Sequence, residues 1–438
     1  MILVLPNNAY ASSMLRWQEI VEESSGQLPH THINFNQLVV TIKQNIKNVL
    51  PAAIVAVCLF AVFAFKSCGP IKEFRKWKKY DGDNSFLYNK PAIHPDRKNV
   101  VIVADNEGTE IFDMLAPFYL FTSTALCNVF IVAEKKYPII VRKGLFVLPH
   151  YTFSEFDSSK LAADLIVIPN LSVMDSNQLS PVLLKWIRKN YNSSTTVLSV
   201  CDGAITAAAS GIYDNVPLTT HASDYASLQE NFKRPIWVSN VSVTNSGNLY
   251  STAGVSNAVE GSLVVIEKYF GTDVQNEAMK RINYPHSRPK IEHKTVALSL
   301  ADKLTILKKT AFRKNKRIGV LLENGIDEFL LAAILDTHHR SFPKRIHSYS
   351  VGNVSIQSKH GLTIIPTGDI SDIDLDEIHV VGKSVPKIRG LGVRKIPIVM
   401  HGEETGYIID ILLKDIDHEY GARFSKIVAI LLDYNVQE

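Results

Sequence analysis

The 438-residue chain has few cysteines, little surplus charge and no nucleotide-binding glycine motif. Its four cysteines, none in a Cys-x-x-Cys pair, are too few for a disulfide scaffold, so a functional cysteine is expected to act as a lone thiol. Lys and Arg total 47 against 43 Asp and Glu, and a net charge of +4 gives no sign of nucleic-acid binding. Neither G-x-G-x-x-G nor a P-loop occurs, so we expect no nucleotide cofactor. A hydrophobic share of 46% excludes a wholly disordered chain.

One long hydrophobic run predicts a membrane segment. Residues 49–65, VLPAAIVAVCLFAVFAF, carry no charge and are just long enough to cross a bilayer as a helix. Six Lys or Arg residues follow the run between 66 and 79, against two between 43 and 47, which predicts that the following chain is cytoplasmic. We therefore expect an N-terminal segment (1–48), a transmembrane helix (49–66), a basic linker (67–97) and a single-pass membrane protein. The alternative for the run is a buried core helix.

From residue 98 onward, short apolar runs alternate with helical patterns. Ser180 is a suitable N-cap for one of the helices, and Pro181 fits the first position of the same helix. Strands that alternate with helices predict an α/β fold, with a parallel sheet covered on both faces and ligand sites at the carboxyl ends of its strands. The predicted strands are Val100–Ala104, Val129–Ala133, Leu165–Pro169 and Thr196–Val200, and the predicted helices are Thr109–Phe121, Pro181–Asn190 and Ala204–Ser210.

An internal repeat is also present. Two separated blocks match at the same offset of 217 residues, and a third is five residues out of step. We therefore interpret residues 315–436 as a shortened, degenerate second α/β copy of residues 98–272, with a connector over 273–314. The matched pairs are Glu107–Phe112 with Asn324–Phe329, Gly144–Pro149 with Gly361–Pro366, and Asp164–Ile168 with Asp376–Val380.

The sharpest candidate site is a cysteine at the end of a predicted strand. Cys201 follows the apolar run Val197–Val200, and a small-residue helix begins at Gly203 and Ala204. This is the strand–turn–helix pattern of a nucleophile elbow, whose sharp turn requires small neighbours. The helix N-terminus is expected to favour a thiolate by lowering the pKa of the sulfur. A buried strand-end cysteine explains the local pattern equally well.

Residues 99–272 resemble the ThiJ/PfpI superfamily, which has the class I glutamine amidotransferase-like fold. The branch resembled includes isonitrile hydratases and the N-terminal domains of AraC-type regulators. The resemblance implies a flavodoxin-like, three-layer sandwich around a parallel sheet, and a superfamily that often forms homodimers. It is carried by four motifs in the same order, at Phe112–Phe121, Ser199–Ala204, Leu218–His221 and Ser251–Val255.

The resemblance assigns roles to the candidate residues. Cys201 would be the nucleophile, and Asp113 the acidic partner that shares a proton with the thiol or acts as general base. His221 would be a third polar group near the elbow. Without the resemblance, Asp113 is equally a solvated carboxylate at a helix start and His221 a histidine with backbone partners. The expected binding residues are Asp202, Gly203, Asn170 and Leu171.

Two positions depart from the superfamily pattern. Asp202 stands where Thr is usual, and a carboxylate there is expected to raise the pKa of the thiol. Asn170-Leu171 follows Pro169 where the family often has two glycines, whose N–H groups help to form an oxyanion site. Both departures argue against efficient hydrolysis or hydration.

The shortened copy departs further. Leu330 occupies the position that matches Asp113 at the offset of 217 residues. No cysteine follows Cys201, so this copy lacks a nucleophile elbow. His338 and His339 have no partner ligands at a recognisable spacing. We therefore expect both histidines at the surface and no metal site.

Two functions remain open at the level of sequence. One is a membrane-anchored, cysteine-dependent hydrolase or lyase acting on a small molecule through Cys201 and Asp113. The other is a module that senses a small molecule or an oxidant without a DNA-binding domain of its own, since no helix-turn-helix follows. Fold alone does not separate them. The expected partners are a small-molecule ligand or substrate, the membrane through residues 49–66 and a second copy of the chain, but no nucleic acid.

Overall fold

The computed structural model describes residues 78–142, 144–171, 179–369, 374–382, 396–402 and 405–435. Residues 1–77 lie outside this part, so the N-terminal segment, the run at 49–66 and the start of the linker are not among the described residues. No helix in the described ranges is long and apolar enough to cross a membrane. On this finding, the prediction of a single-pass membrane protein with cytoplasmic C-terminal domains is wrong.

The first half of the described chain has the alternation of strands and helices that the sequence predicts, and the α/β class is confirmed. Its strands are β1 (Lys98–Ala104), β2 (Cys127–Ala133), β3 (Ile139–Val141), β4 (Leu145–Val147), β5 (Tyr151–Thr152), β6 (Leu165–Ile168), β7 (Thr196–Ser199), β8 (Pro217–Leu218), β9 (Ile236–Trp237), β10 (Val243–Ser246) and β11 (Leu249–Thr252). Its helices are α1 (Ile111–Ser123), α2 (Phe153–Ser158), α3 (Pro181–Asn190), α4 (Gly203–Ser210), α5 (Tyr225–Asn231), α6 (Ala258–Phe270) and α7 (Thr272–Arg281).

A seven-stranded sheet forms the centre of this half. Its strand order is β10-β11-β7-β6-β1-β2-β5, and every neighbouring pair is parallel except β10 with β11. The central strands are buried on both faces, as their continuous apolar runs predict. Because β1, β6 and β7 are parallel neighbours, the loops after them meet at one edge of the sheet. That edge holds the candidate site.

The second half begins with helix α8 (Leu300–Phe312) and builds a smaller sheet. The elements that follow are β12 (Arg317–Leu322), α9 (Glu328–His339), β13 (Arg345–Ser350), β14 (Ile356–Gln357), β15 (Thr363–Pro366), β16 (Glu377–Val381), β17 (Ile398–His401), α10 (Ile408–Tyr420) and α11 (Ala422–Leu432). The strands β12, β13, β16 and β17 are all parallel, in the order β13-β12-β16-β17.

The two halves share one hydrophobic core. Helix α1 packs between the large sheet and helix α9 of the second half, so twelve of its thirteen residues are buried. Strand β15 pairs antiparallel with β4, which joins a hairpin of each half in a single four-stranded sheet. Polar side chains on α1 are therefore buried by the second half as well as by their own sheet.

Candidate functional site

Cys201 occupies a strained turn between β7 and α4. Its φ of +55° is in the left-handed region that non-glycine residues rarely adopt. Such a conformation costs of order 1–3 kcal/mol and persists where the surrounding structure imposes it. Gly203 is required in the same turn, because a Cβ there would overlap the carbonyl oxygen of Ile168. The local geometry is therefore that of the predicted elbow.

The start of α1 places two carboxyl groups near this turn. Glu110 is the N-cap, and its Oε2 accepts the N–H groups of Phe112 at 2.7 Å and Asp113 at 3.1 Å. Asp113 lies in the first turn and is fully buried. Its Oδ2 accepts the N–H of Asn170 at 3.0 Å, whereas its Oδ1 has no hydrogen-bond partner among the described residues. One oxygen of Asp113 is thus available to the site.

The loop after β6 is held by α1 and by Arg142. The Asn170 carbonyl accepts the N–H of Glu110 at 2.9 Å, while its side-chain Oδ1 accepts from Arg142 Nη2 at 3.0 Å. The same Arg142 nitrogen donates to the Leu171 carbonyl at 3.0 Å. Because the Asn170 N–H already binds Asp113, it is not directed at an oxyanion. Asn170 and Leu171 shape the site but do not form the oxyanion group of the family pattern.

Asp202 and His221 lie beside the elbow. Asp202 Oδ1 accepts from Thr220 Oγ1 at 2.8 Å. His221 Nδ1 accepts the N–H of Ser223 at 3.1 Å, so its Nε2 carries the proton and faces the Leu431 carbonyl at 3.2 Å. Both ring nitrogens of His221 are engaged, and a catalytic role for this residue stays a prediction.

The second half closes the site. Arg340, one residue beyond α9, is 6% exposed, and its Nη2 lies 3.7 Å from Glu110 Oε1. It also pairs with Asp336 and donates from Nε to the Leu431 carbonyl at 2.8 Å. A cation from the second half therefore faces the carboxylates of the first.

The C-terminal end of α11 covers the other side. Asp433 is buried, its Oδ2 accepts the N–H of Ala222 at 3.3 Å, and its carbonyl accepts from Ser256 Oγ at 3.0 Å. Gly254 has no room for a side chain, because a Cβ would overlap that of Asp433. With Cys201 only 2% exposed, the thiol is enclosed in this conformation.

The electrostatics of the enclosed site favour protonated groups. Burial raises the pKa of Cys201 well above its ordinary value, and the carboxylates of Asp113 and Asp202 add to this effect. Burial, followed by the charge of Glu110, likewise raises the pKa of Asp113. Burial raises the pKa of Asp202 to about 6. The Asp202 N–H favours the thiolate, as expected at a helix start, but the opposing effects outweigh it. The lowering of the thiol pKa expected from the helix start is therefore wrong, and the raising expected from the Asp202 carboxylate is confirmed.

Three residues of this site were not identified from the sequence. Glu110 carries a weak signal, because a carboxylate at a predicted helix start is stabilised by the helix dipole. Arg142 follows a short strand, and Arg340 lies 198 residues after Arg142 in the chain. Neither arginine stands in a motif, and only the packing of α9 on α1 brings Arg340 to the site.

The histidines of α9 contradict another expectation. His338 and His339 are 7% and 6% exposed, so the prediction that they are surface residues is wrong. They are buried because α9 is covered by α1 on one side and by the small sheet on the other. Burial lowers the pKa of His338 well below its ordinary value, so its imidazole is neutral at pH 7.

Comparison with known proteins identifies the part of the chain that carries this site. Residues 98–268 match the DJ-1/PfpI family. These residues form a DJ-1/PfpI family domain. The ThiJ/PfpI resemblance is thereby confirmed. An isonitrile hydratase from Pseudomonas putida is 22% identical to the chain over 177 residues, which are 40% of this chain and 75% of that protein.

Solved structures resemble the DJ-1/PfpI domain in fold. DJ-1 from Schizosaccharomyces pombe has 18% identity and a TM-score of 0.37, covering 43% of this chain and all of that one. DJ-1beta from Drosophila melanogaster has 20% identity and a TM-score of 0.37, covering 42% and 97%. A ThiJ/PfpI family protein from Pseudomonas syringae has 18% identity and a TM-score of 0.38, covering 46% and 84%.

Proposed function

We propose that the DJ-1/PfpI domain is a cysteine-dependent hydrolase or lyase that acts on a small electrophile such as an amide, an aldehyde adduct or an isonitrile. Cys201 is the nucleophile and Asp113 its proton-transfer partner. The observation that carries the proposal is the strained backbone of Cys201, because left-handed geometry at a non-glycine residue is typical of functional sites. The buried Asp113 beside it gives the strained thiol a chemical partner.

The protonated state of the pair suits one particular sequence of proton transfers. The Asp113 carboxylic acid gives its proton to the carbonyl oxygen of an amide or aldehyde, or to the terminal carbon of an isonitrile, while Cys201 Sγ bonds to that carbonyl or terminal carbon. The resulting Asp113 carboxylate then accepts the thiol proton. The elements of S–H have been added to the substrate, Asp113 is again an acid, and water must then displace the sulfur to release the product. A carboxylic acid that its surroundings keep neutral at pH 7 is an established device for such proton donation.

The remaining polar groups then have supporting roles. The Asn170 N–H holds one oxygen of Asp113 and leaves the other without a hydrogen-bond partner among the described residues. Arg340 places a buried positive charge beside the carboxylate of Glu110. Asp202 and His221 connect the elbow to neighbouring loops.

A second candidate function is favoured by the closed state of the site. Arg340, Leu431 and Asp433 of the second half cover the elbow, and the Asn170 N–H is not available to an oxyanion. These features suit a regulatory module that binds a small molecule without turnover. A raised thiol pKa makes an oxidant sensor the weaker form of this alternative, because thiolate character governs oxidation.

We also propose that residues 315–436 are a degenerate copy of the DJ-1/PfpI domain. The order β12-α9-β13-β14-β15-β16 repeats the order β1-α1-β2-β3-β4-β6, and α10–α11 follow one another across Gly421 as α6–α7 do across Gly271. The copy has no cysteine, so its contribution is to cover α1 and to supply Arg340. A homodimer remains a prediction, but the β4 edge is already paired with β15 of the same chain.

Turnover assays on the full chain test the enzymatic proposal. We expect release of product from at least one member of a panel of isonitriles, primary amides and glyoxal adducts. Cys201→Ala should abolish the activity, and Asp113→Asn should reduce it by at least about a hundredfold, since general acid–base groups contribute about 10²–10⁴-fold. The rates are measured by chromatography of the products.

Cys127→Ala is the matched control, because Cys127 is also buried but lies at the start of β2, outside the site. It should retain wild-type turnover. If no compound is turned over, while one of them binds with Cys201-dependent affinity in calorimetry, the regulatory module is the correct function. Turnover that survives in Cys201→Ala would rule out the nucleophile.

A further inference from the structure

A second cluster of polar groups lies in the small sheet of the second half, apart from the chemistry proposed for Cys201. Glu377 and His379 alternate along β16 and therefore share one face of the sheet. His338, in the last turn of α9, packs over them, with its ring centroid 4.3 Å from that of His379. One potential ligand atom from each of the three lies within 4.8 Å of the others. All three residues are at least nine-tenths buried.

Hydrogen bonds account for the buried polar atoms of Glu377 and His379 but not for the Nε2 atom of His338. Its Nε2 is buried and has no hydrogen-bond partner among the described residues. Leaving a buried polar group unsatisfied costs about 1–3 kcal/mol, so such a group calls for an explanation. A neutral imidazole nitrogen with a free lone pair is a metal ligand.

The side chains of Glu377 and His379 are also arranged in a way that suits a metal ion. Glu377 Oε1 lies 3.3 Å from His379 Nε2, so a carboxylate oxygen and an imidazole nitrogen converge near His338. Glu377 Oε2 is occupied by Lys316 Nζ at 2.7 Å, which fixes the orientation of the carboxylate. Lys316 also pairs with Glu419 at 2.5 Å. The carboxylates of Glu377 and Glu419 and the ammonium of Lys316 together carry one net negative charge, which favours the binding of a cation.

His401 completes the arrangement from β17. Its Nε2 lies 2.8 Å from His379 Nδ1. When His379 Nε2 binds a metal, its Nδ1 carries the proton and donates to His401 Nε2. A histidine ligand usually donates its second ring N–H to such an outer partner, which fixes the tautomer and raises ligand basicity.

We propose that His338, Glu377 and His379 bind one divalent transition-metal ion, with zinc as the best-fitting candidate. Two imidazoles and a carboxylate form a three-ligand set that zinc accepts, with a fourth position for water or another ligand. Imidazole ligands favour zinc, copper, iron or nickel over magnesium and calcium. Residues two apart on a helix do not face each other, so α9 turns His338 toward the sheet while Arg340 faces the Cys201 site. Metal binding would thus fix the end of the helix that supplies Arg340.

The test is a zinc titration of the full chain after chelator treatment, in competition with a chromophoric chelator. We expect one tight zinc ion per chain and a loss of affinity of at least about tenfold in His338→Gln and in Glu377→Gln. Cobalt titration of the wild type should give visible absorption bands of a low-coordinate site. All variants retain the other histidines, including His30 and His32. A difference in zinc affinity between a variant and the wild type is therefore due to the cluster.

His347→Gln is the matched control, because His347 lies in the same half and bonds to Thr367 outside the cluster. It should bind zinc as the wild type does, and circular dichroism should show that all variants are folded. Equal zinc affinity in wild type, His338→Gln and Glu377→Gln would overturn the proposal. So would absence of tight zinc binding and of cobalt bands in the wild type, which would leave the cluster a hydrogen-bond network only.

Discussion

Replacing Arg340 by Met is expected to lower the free energy of unfolding of the protein by about 3–5 kcal/mol. The Arg340 side chain is 7% exposed, with Glu110 and Asp336 opposite it at 3% and 0%. Methionine fills much of the same volume but removes the cation that faces two buried carboxylates. Removing one partner of a buried ion pair is strongly destabilising because the remaining charge stays in a low-dielectric interior. Urea unfolding at pH 7 measures the change.

Arg234→Met is the matched control for this experiment. Arg234 pairs with Asp214 at 3.0 Å, but its side chain is 79% exposed. An exposed ion pair contributes about 0–1 kcal/mol, so the control should unfold almost as the wild type does. A loss in Arg340→Met no larger than that of the control would show that the buried ion pairs of Arg340 do not contribute to stability.

Phe329→Ala is expected to destabilise the whole described structure by about 3–5 kcal/mol, as a large-to-small change in a packed core does. Phe329 is 2% exposed and lies in α9, with its ring centroid 5.4 Å from that of Phe112 and 5.7 Å from that of Tyr119. Because these partners belong to α1, a substitution in the second half should weaken the first. Tryptophan fluorescence reports the transition, because Trp186 is buried in the first half and no tryptophan follows Trp237 in the sequence.

Phe312→Ala separates this effect from a general loss of aromatic surface. Phe312 ends helix α8 and is 83% exposed, so its removal should change stability by at most about 0.5 kcal/mol. If Phe329→Ala moved the transition seen by far-ultraviolet circular dichroism but not the one seen by Trp186, the two halves would unfold independently. That result would contradict the shared core.

The fold of the first half was largely predictable because it depends on local patterns. Apolar runs of four to seven residues gave the strands β1, β2, β6 and β7 nearly to the residue. Ser180 and Pro181 marked the start of α3, where the Ser180 hydroxyl accepts the N–H of Leu183. The turn at Cys201 was likewise visible, because an elbow requires small residues in the positions that follow it.

The chemistry of the site was less predictable because it depends on contacts between distant segments. The sequence places Asp113 at a helix start, where a carboxylate is usually solvated, and gives no sign that α9 covers it. The same packing buries Arg340 and His338, which stand in no motif. The raised pKa of Cys201 follows from that burial, so the prediction of a lowered pKa from the helix start alone was wrong.

The measurement that tests the central claim most directly is a pH titration of the Cys201 thiolate in the full chain. Its ultraviolet absorbance, taken as the difference between wild type and Cys201→Ala, reports ionisation without requiring a reagent to enter the closed site. Because burial and Asp113 both raise the thiol pKa, we expect the inflection in the wild type to lie well above the pH at which an ordinary thiol ionises. Asp113→Asn removes one of these causes and should shift the inflection to lower pH. An inflection at or below the ordinary thiol pKa of about 8.5, unchanged in Asp113→Asn, would show that Cys201 and Asp113 do not form a coupled, protonated pair.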